Sequence, residues 1–231
     1  MFGVHSQIPA LLINQHSIAD VKQANDYIAR LNGVEKVLGQ LVDQLKIREN
    51  KGIIAPRFVF EHVIRDSKNL LVGAPYDDGE NTTLLADFTK KVNKLEISDQ
   101  EKQALLEKAT NALLTKVKAG YEGLITYLTA LEQNADDRDG AWKFPDGEAY
   151  YNNALKRTTT TDLTAEEIHT IGLSEVDRIH NEMRLIMTKV GFEGDLAEFF
   201  VFMRNDKQFY YAADEAGKTR YLKEATQIID T

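Results

Sequence analysis

Five histidines, His5, His16, His62, His169 and His180, are the side chains best suited to hold a metal or move a proton near neutral pH. None is followed by Glu, so the H-E-x-x-H spacing that puts two imidazoles on one face of a zinc helix is absent. His169 and His180 are eleven residues apart, close to three helical turns. They share a face, but at 1.5 Å rise per residue about 16 Å separates them, too far to share one ion. Glu166 with His169 has the Glu-x-x-His spacing of di-metal carboxylate bundles, and Asp177 with His180 approximates it. Those bundles draw their pairs from two helices and further carboxylates from two more. Here both pairs fall on one helix, and Glu166 sits in its first turn, where the helix dipole already favours an acid.

Other reactive spacings are missing. No G-x-x-x-x-G-K-[ST], G-x-G-x-x-G or G-x-S-x-G occurs, which leaves phosphate-loop, dinucleotide and hydrolase-elbow chemistry without support. The run Asp136-Asp137-Arg138-Asp139-Gly140 is acidic enough for a calcium loop, yet its twelfth position is Gly147 rather than an acid. It reads as a solvated loop. Tyr150-Tyr151 and Phe209-Tyr210-Tyr211 suit either an aromatic cleft or ordinary packing at a helix boundary.

The elements that would position these residues are helical. The chain has 231 residues, with 28 Lys+Arg against 36 Asp+Glu, a net charge of −8. That balance excludes a general nucleic-acid binder, which needs a basic face. Gly and Pro number only 14 and 4, few turn-makers for this length. No apolar run approaches the ~20 residues of a membrane span. Zero Cys excludes disulfides, thiolate metal sites and Cys nucleophiles.

Ser17 is a plausible N-cap for a first helix through Val21, Ala24, Ile28 and Leu31, with a break expected at Asn32-Gly33. A second stripe runs from Val34 to Leu45, and Pro56 suits the first turn of a third helix. Gly73 to Gly79 reads as a loop, followed by a shorter helix around Leu84 to Leu95. Ser98 and Glu101 have capping-box spacing ahead of one very long helix, with a bend expected at Gly120 or Gly123. Asn134 to Gly147 is irregular and is the place for any sub-division of an otherwise single helical segment. A short helix from Glu148 to Leu155 then meets Thr158-Thr159-Thr160-Thr161, whose β-branched side chains make it the best strand candidate.

Thr164 with Glu167 opens the next helix, carrying Ile171, Val176, Ile179, Met183 and Met187 to Gly191. Asp195 with Glu198 opens another, and a last helix through Tyr221, Leu222, Ala225, Ile228 and Ile229 is still periodic at Thr231. The expectation is an all-α bundle of about eight helices with at most a short strand near Thr158–Thr161. Its core should include Leu113, Val117, Leu124, Leu128, Val176, Ile179 and Met183.

Several stretches also resemble a known family. They are Gln7-Ile8-Pro9-Ala10-Leu11-Leu12-Ile13-Asn14, Lys51-Gly52-Ile53-Ile54-Ala55-Pro56-Arg57-Phe58-Val59 and Pro145-Asp146-Gly147-Glu148-Ala149-Tyr150-Tyr151. The Thr158-Thr159-Thr160 run, Leu163 to Val176, and Gly191-Phe192 before Glu198-Phe199 complete the set. In this order, over nearly the whole chain, they resemble the bacterial domain of unknown function 885 family. The resemblance implies a mostly helical, zinc-dependent peptidase, many members being exported to the cell envelope as lipoproteins. It places the H-E-x-x-H-type helix C-terminal to the matched stretches. Residues 1–231 would then be an N-terminal or middle segment with no catalytic residue, cofactor or metal ligand of its own, the zinc belonging to a missing C-terminal half. Phe2-Gly3-Val4-His5 shows neither a signal-peptide core nor a lipobox Cys.

On that basis the segment shapes a peptide cleft and is inactive alone. Candidate substrate-lining residues are Tyr150, Tyr151, Arg157, Thr158, Thr159 and Thr160, a strand edge pairing with an extended peptide and Arg157 meeting a carboxylate. A self-standing helical interaction module is the alternative, and a di-metal oxidoreductase the third reading. Loss of a covering half would leave an apolar face through which the segment could dimerise.

Overall fold

Five short polar side chains start helices in the structure, a computed structural model that describes residues 3–230. Asp20, Ser98, Thr164, Asp195 and Asp214 each accept from the backbone N–H three residues on, satisfying a donor the helix leaves unpaired. At Ser98, Thr164 and Asp195 the reciprocal Glu also reaches back, closing the capping boxes the spacing predicts.

The elements in order are α1 (Val4–Asn14), α2 (Val21–Asn50), α3 (Arg57–Asn69), α4 (Thr83–Val92), α5 (Asp99–Ala112), α6 (Lys118–Glu132), α7 (Gly147–Thr159), α8 (Ala165–Lys189), α9 (Leu196–Asn205) and α10 (Glu215–Ile229). A π-helical turn, Leu113–Val117, fuses α5 and α6 into one rod, so the described residues form nine helices and no strand. The chain divides into two units after Tyr151, within α7.

Unit 1 holds an extensive core, in which Leu31, Leu38, Leu113, Val117, Tyr121 and Leu124 are all but fully buried. Its centre is the packing of α2 on the α5–α6 rod. A Cβ at Gly120 would lie 3.0 Å from the Glu35 Cα and 3.3 Å from the Glu35 N, so only glycine lets the two backbones come this close. Glycine matters there for approach, and the irregularity in the rod falls earlier, at Leu113–Val117. There the Leu113 carbonyl accepts from Lys118 N and, at 3.3 Å, from the Tyr76 hydroxyl.

Two further expectations change. The first helix, α1, begins well before Ser17, and α2 starts from Asp20 and continues through Asn32-Gly33. A single helical glycine costs about 1 kcal/mol, less than the packing of the stripe from Ala24 to Leu38 returns.

α1 contains Pro9, which has no N–H to give the His5 carbonyl. The hydroxyl of the fully buried Tyr121 donates to that carbonyl instead, at 2.6 Å. At the other end of α1, Lys91 Nζ donates to the Leu12 and Ile13 carbonyls at 2.9 and 3.0 Å while pairing with Asp87 at 2.8 Å. A cation thus meets the negative end of the helix dipole.

In unit 2, α8 packs with α9, and Phe192, Phe199, Phe202 and Phe209 form one aromatic cluster with centroids 5.0–6.2 Å apart. Only two large apolar side chains there, Met187 and Phe199, are buried among the described residues. Val176 and Ile179 are exposed and Met183 half-buried, against the expectation of a core position. The stripe has the right period, but only its Met183–Met187 end is covered.

Two predictions follow from the α1 and Gly120 contacts. Tyr121→Phe should lower the unfolding free energy by about 1–3 kcal/mol, the cost of an unpaired buried carbonyl. Adding Pro9→Ala should recover part of that loss by restoring a helical N–H, so the pair is non-additive in urea melts. Gly120→Ala should cost about 1–3 kcal/mol by overpacking, whereas Gly123→Ala, whose Cβ meets open space, should be neutral or slightly stabilising.

Candidate functional site

The sequence-predicted site residues all fall on or just after α7. Gly147, the first residue of that helix, lies where a Cβ would sit 2.0 Å from the Ala141 carbonyl oxygen, so the start of the helix is closed against that turn. Tyr150 and Tyr151 stand on its first turns with 66% and 49% of their surface exposed. Arg157 and Thr158 are exposed in its last turn, and Thr159 is half-buried.

The threonine run forms a helix terminus in place of a strand. Thr159 Oγ1 donates back to the Leu155 carbonyl at 2.9 Å, a bond that holds a β-branched residue in helical conformation. Thr160 turns to φ 57° and ends the helix, and Thr159 and Thr161 share a hydroxyl contact of 2.9 Å. No strand edge is therefore offered to an extended peptide here. What α7 presents is two aromatic rings, a guanidinium and hydroxyls.

On α8, Glu166, His169 and Asp177 are exposed and His180 is half-buried. Among the described residues no three His, Asp or Glu side chains converge on a point a metal ion could occupy. These residues do not fit a zinc site. The acidic run beginning at Asp136 is likewise committed to structure. Asp136 pairs with Arg138 and Lys143, each at 2.6 Å, and their hydrogen bonds hold its carboxyl down at about 2. Arg57 binds the same segment, its backbone N–H donating to the Asp136 carbonyl at 2.9 Å and its guanidinium reaching the Ala135 carbonyl and Asp137.

Two buried histidines in unit 1 are the functional-type side chains that the motifs did not single out. His16 Nε2 lies 3.1 Å from the Gln23 carbonyl, and Nδ1 faces the Arg30 guanidinium. A carbonyl only accepts and a guanidinium only donates, so the ring is neutral with its proton on Nε2. Burial, then the Arg30 charge, hold its pKa below the ordinary value. His5 is 4% exposed, and its pKa too is lowered, by burial, with Asp66 acting in the opposite sense. Its Nε2 has no hydrogen-bond partner.

His5 also lines a cavity of about 280 Å³ within unit 1. α1, α2, α3 and α6 enclose it, together with the chain from Ile53 to Ala55, and its walls are otherwise apolar apart from Arg48. A shallower groove, lined by Leu85, Thr89, Leu106 and Leu114 among others, runs between α4 and α5. The one sequence signal for His5 is Pro9, four residues on, which leaves the His5 carbonyl in need of a tertiary partner.

These features define an all-α protein of two helical units, the first built round a helical rod, with no assembled metal centre among its described residues. The family model described as "Bacterial protein of unknown function (DUF885)" matches residues 1–231, and the chain belongs to that family. Among solved structures it is similar to "the putative lipoprotein from Colwellia psychrerythraea", at 24% identity and a TM-score of 0.85. The match covers 100% of this chain and 39% of that one, so this chain spans well under half the neighbour's length and shares its fold over that part. Comparison with curated proteins gives no match. No helix of the described residues is long and apolar enough to cross a membrane.

The two buried histidines make a pH dependence predictable. Their folded pKa values lie below the ordinary 6.5, so the unfolded chain takes up protons first as pH falls. Their stabilising effect is complete above about pH 6.5 and is lost as pH falls below it. The urea midpoint should fall as pH drops below about 6.5 and be flat just above, and His16→Gln should flatten the acid limb.

Proposed function

We propose that residues 1–231 are the helical, non-catalytic portion of a longer, zinc-dependent, peptidase-like DUF885 protein of the cell envelope. The zinc would be held by polypeptide outside these residues, and the substrate would be a peptide. The observation that carries this reading is the uncovered apolar surface of unit 2. Leu173, Leu185 and Ile186 on α8, Val190 just after it, and Leu222, Ile228 and Ile229 on α10 are each more than half exposed. Large apolar side chains exposed in this number are the kind of surface that an interface covers. Because the chain spans 39% of its structural neighbour, the covering surface we assign is the remaining polypeptide of the same longer protein.

The residues on and after α7 take the substrate side. Tyr150 and Tyr151 offer apolar faces to peptide side chains, Arg157 offers two parallel donors to a carboxylate, and Thr158, Thr159 and Thr160 offer hydroxyls to a peptide backbone. The envelope location rests on the neighbour's description as a "putative lipoprotein". The second reading, a self-standing interaction module, draws on the same exposed faces and differs in what covers them.

The test expresses the complete open reading frame beside residues 1–231 alone. The long protein should bind one equivalent of zinc and hydrolyse unstructured peptides until chelator is added. The short one should do neither, and it should bind a hydrophobic dye that the long one does not. In the long protein, Arg157→Ala should raise KM about tenfold with kcat little changed, the loss of one charge-assisted contact. Stoichiometric zinc on residues 1–231, or a long protein without zinc or hydrolysis, overturns the reading.

A further inference from the structure

His16 joins the end of α1 to the start of α2 through both its backbone and its ring. Its backbone N–H donates to the Leu11 carbonyl at 3.0 Å and closes the last turn of α1. Its ring donates from Nε2 to the carbonyl of Gln23, in the first turn of α2, at 3.1 Å. Gln23 gathers the connection from the other side. Its N–H donates to Asp20 and its side-chain oxygen accepts from the Ala19 N–H, both at 2.7 Å. The hydrogen bonds that fasten this connection to α2 thus converge on one imidazole and one glutamine.

The other ring nitrogen decides how the fastening responds to acid. Nδ1 accepts from the Arg30 guanidinium, which has no lone pair to offer in return. A proton on Nδ1 therefore meets a donor and a second positive charge. Lys91 on α4 adds another cation, with Nζ 5.6 Å from the centre of the Tyr27 ring, on which His16 packs at 5.1 Å between centroids. The carboxylates nearby are engaged already. Asp26 on α2 pairs with Lys22 at 2.9 Å. Asp87 on α4 pairs with Lys91 at 2.8 Å and accepts from the Tyr27 hydroxyl at 3.1 Å. Burial and then Arg30 lower the proton affinity of His16, with Lys91 adding to them, while the Gln23 bond and Asp26 act in the opposite sense.

A charged imidazole that is 7% exposed and faces cations gains by moving into water. The far end of α1 has no reason to follow. There the Tyr121 hydroxyl holds the His5 carbonyl at 2.6 Å, a bond that His16 does not touch. Pro9 lies between the two ends, and its missing N–H removes one of the bonds that would make α1 move as a single piece.

We propose that a proton on His16 releases residues 11–20 from their seat on unit 1 while the rest of the unit stays folded. Segments of a protein open separately, with free energies well below that of global unfolding. The released ring titrates near its ordinary value and the docked ring below it, so acid favours the released form. Release takes up one proton, and its equilibrium constant rises by up to about tenfold per pH unit below about 6.5. His5 stays docked with the first turn and adds no proton to the count. This acid-released clasp is distinct from a fall in global stability and does not depend on zinc or peptidase chemistry.

The test is native-state hydrogen exchange of the full chain, read by NMR at increasing urea and corrected for intrinsic exchange rates. The amides of Gln15, His16 and Ala19 should exchange through an opening that urea scarcely changes, because little surface is exposed in it. The amide of Leu124 on the rod should need global unfolding and follow urea steeply. Between about pH 6 and 5 the local opening constant should rise by up to about tenfold.

His16→Gln keeps a donor for the Gln23 carbonyl and an acceptor for Arg30 without a titrating group, and should remove that rise. Arg30→Gln, at an exposed position, replaces the facing cation with an amide that can accept from Nδ1–H, and should remove most of it. Urea midpoints at neutral pH check that both variants fold. The proposal is overturned if Gln15, His16 and Ala19 follow the urea dependence of Leu124 in acid. It is overturned too if either variant keeps the full rise, or if the His16 ring titrates at its ordinary value in the folded protein.

Discussion

A proline inside α1 leaves the His5 carbonyl without a helical donor, and the first helix is held to the rest of unit 1 by how that vacancy is met. The donor is the hydroxyl of Tyr121, a residue fully buried on α6, whose phenol is held protonated well above its ordinary range by burial. A helix of eleven residues is marginal on its own, and one with an internal proline is worse. It persists because its carbonyls are answered from elsewhere, by Tyr121 near the start and Lys91 at the end. The same docking fixes His5 against α6. Gly120, one residue before Tyr121, permits the close approach of α2. Two adjacent residues on one rod therefore set the positions of both N-terminal helices.

The stretches by which the family is recognised are concerned with this kind of geometry more than with reaction chemistry. Gly52 takes φ 71°, and a Cβ on it would lie 3.9 Å from Pro145. Arg57 holds the chain that follows α6, and Gly147 admits the Ala141 carbonyl. Gln7 to Asn14 contains the proline whose missing N–H brings in Tyr121. Each residue type is the one its turn or contact requires, which is why such stretches are distinctive.

What the sequence discloses follows the range of the forces involved. Ser98, Thr164 and Asp195 announce their helices because a capping box is complete within four residues. Leu113, Val117, Leu124 and Leu128 are legible as core because α2 lies against the rod they stripe. α1 is not legible, since its stabilising partners are far along the chain. The continuity of α2 through Gly33 is missed for a related reason, local propensity being outweighed by tertiary burial. The threonine run shows the opposite error: β-branching is a weak preference, and the hydroxyl bond to Leu155 reverses it. Of the candidate site, the exposed tyrosines and Arg157 are found from sequence as types, whereas the burial of His5 and its unpaired nitrogen come from tertiary packing that no local spacing announces.

Val176 and Ile179 mark where periodicity stops being informative. An apolar stripe reports that a face is suited to burial and says nothing of what buries it. In unit 1 the stripes of α2, α4 and the rod find one another, and large residues such as Tyr27, Phe88 and Tyr121 are lost from solvent. In unit 2 the caps are as well formed and the aromatic cluster is in place, yet Val176, Leu185, Ile186, Leu222 and Ile228 remain outside. Burying such a side chain is worth about 1.5–3 kcal/mol, so several together form a reservoir of association energy comparable with the stability of a small domain. Selection against aggregation removes such surface from proteins that do not use it. The well-formed helices of unit 2 therefore owe more to their own caps and aromatic cluster than to burial of their apolar stripes.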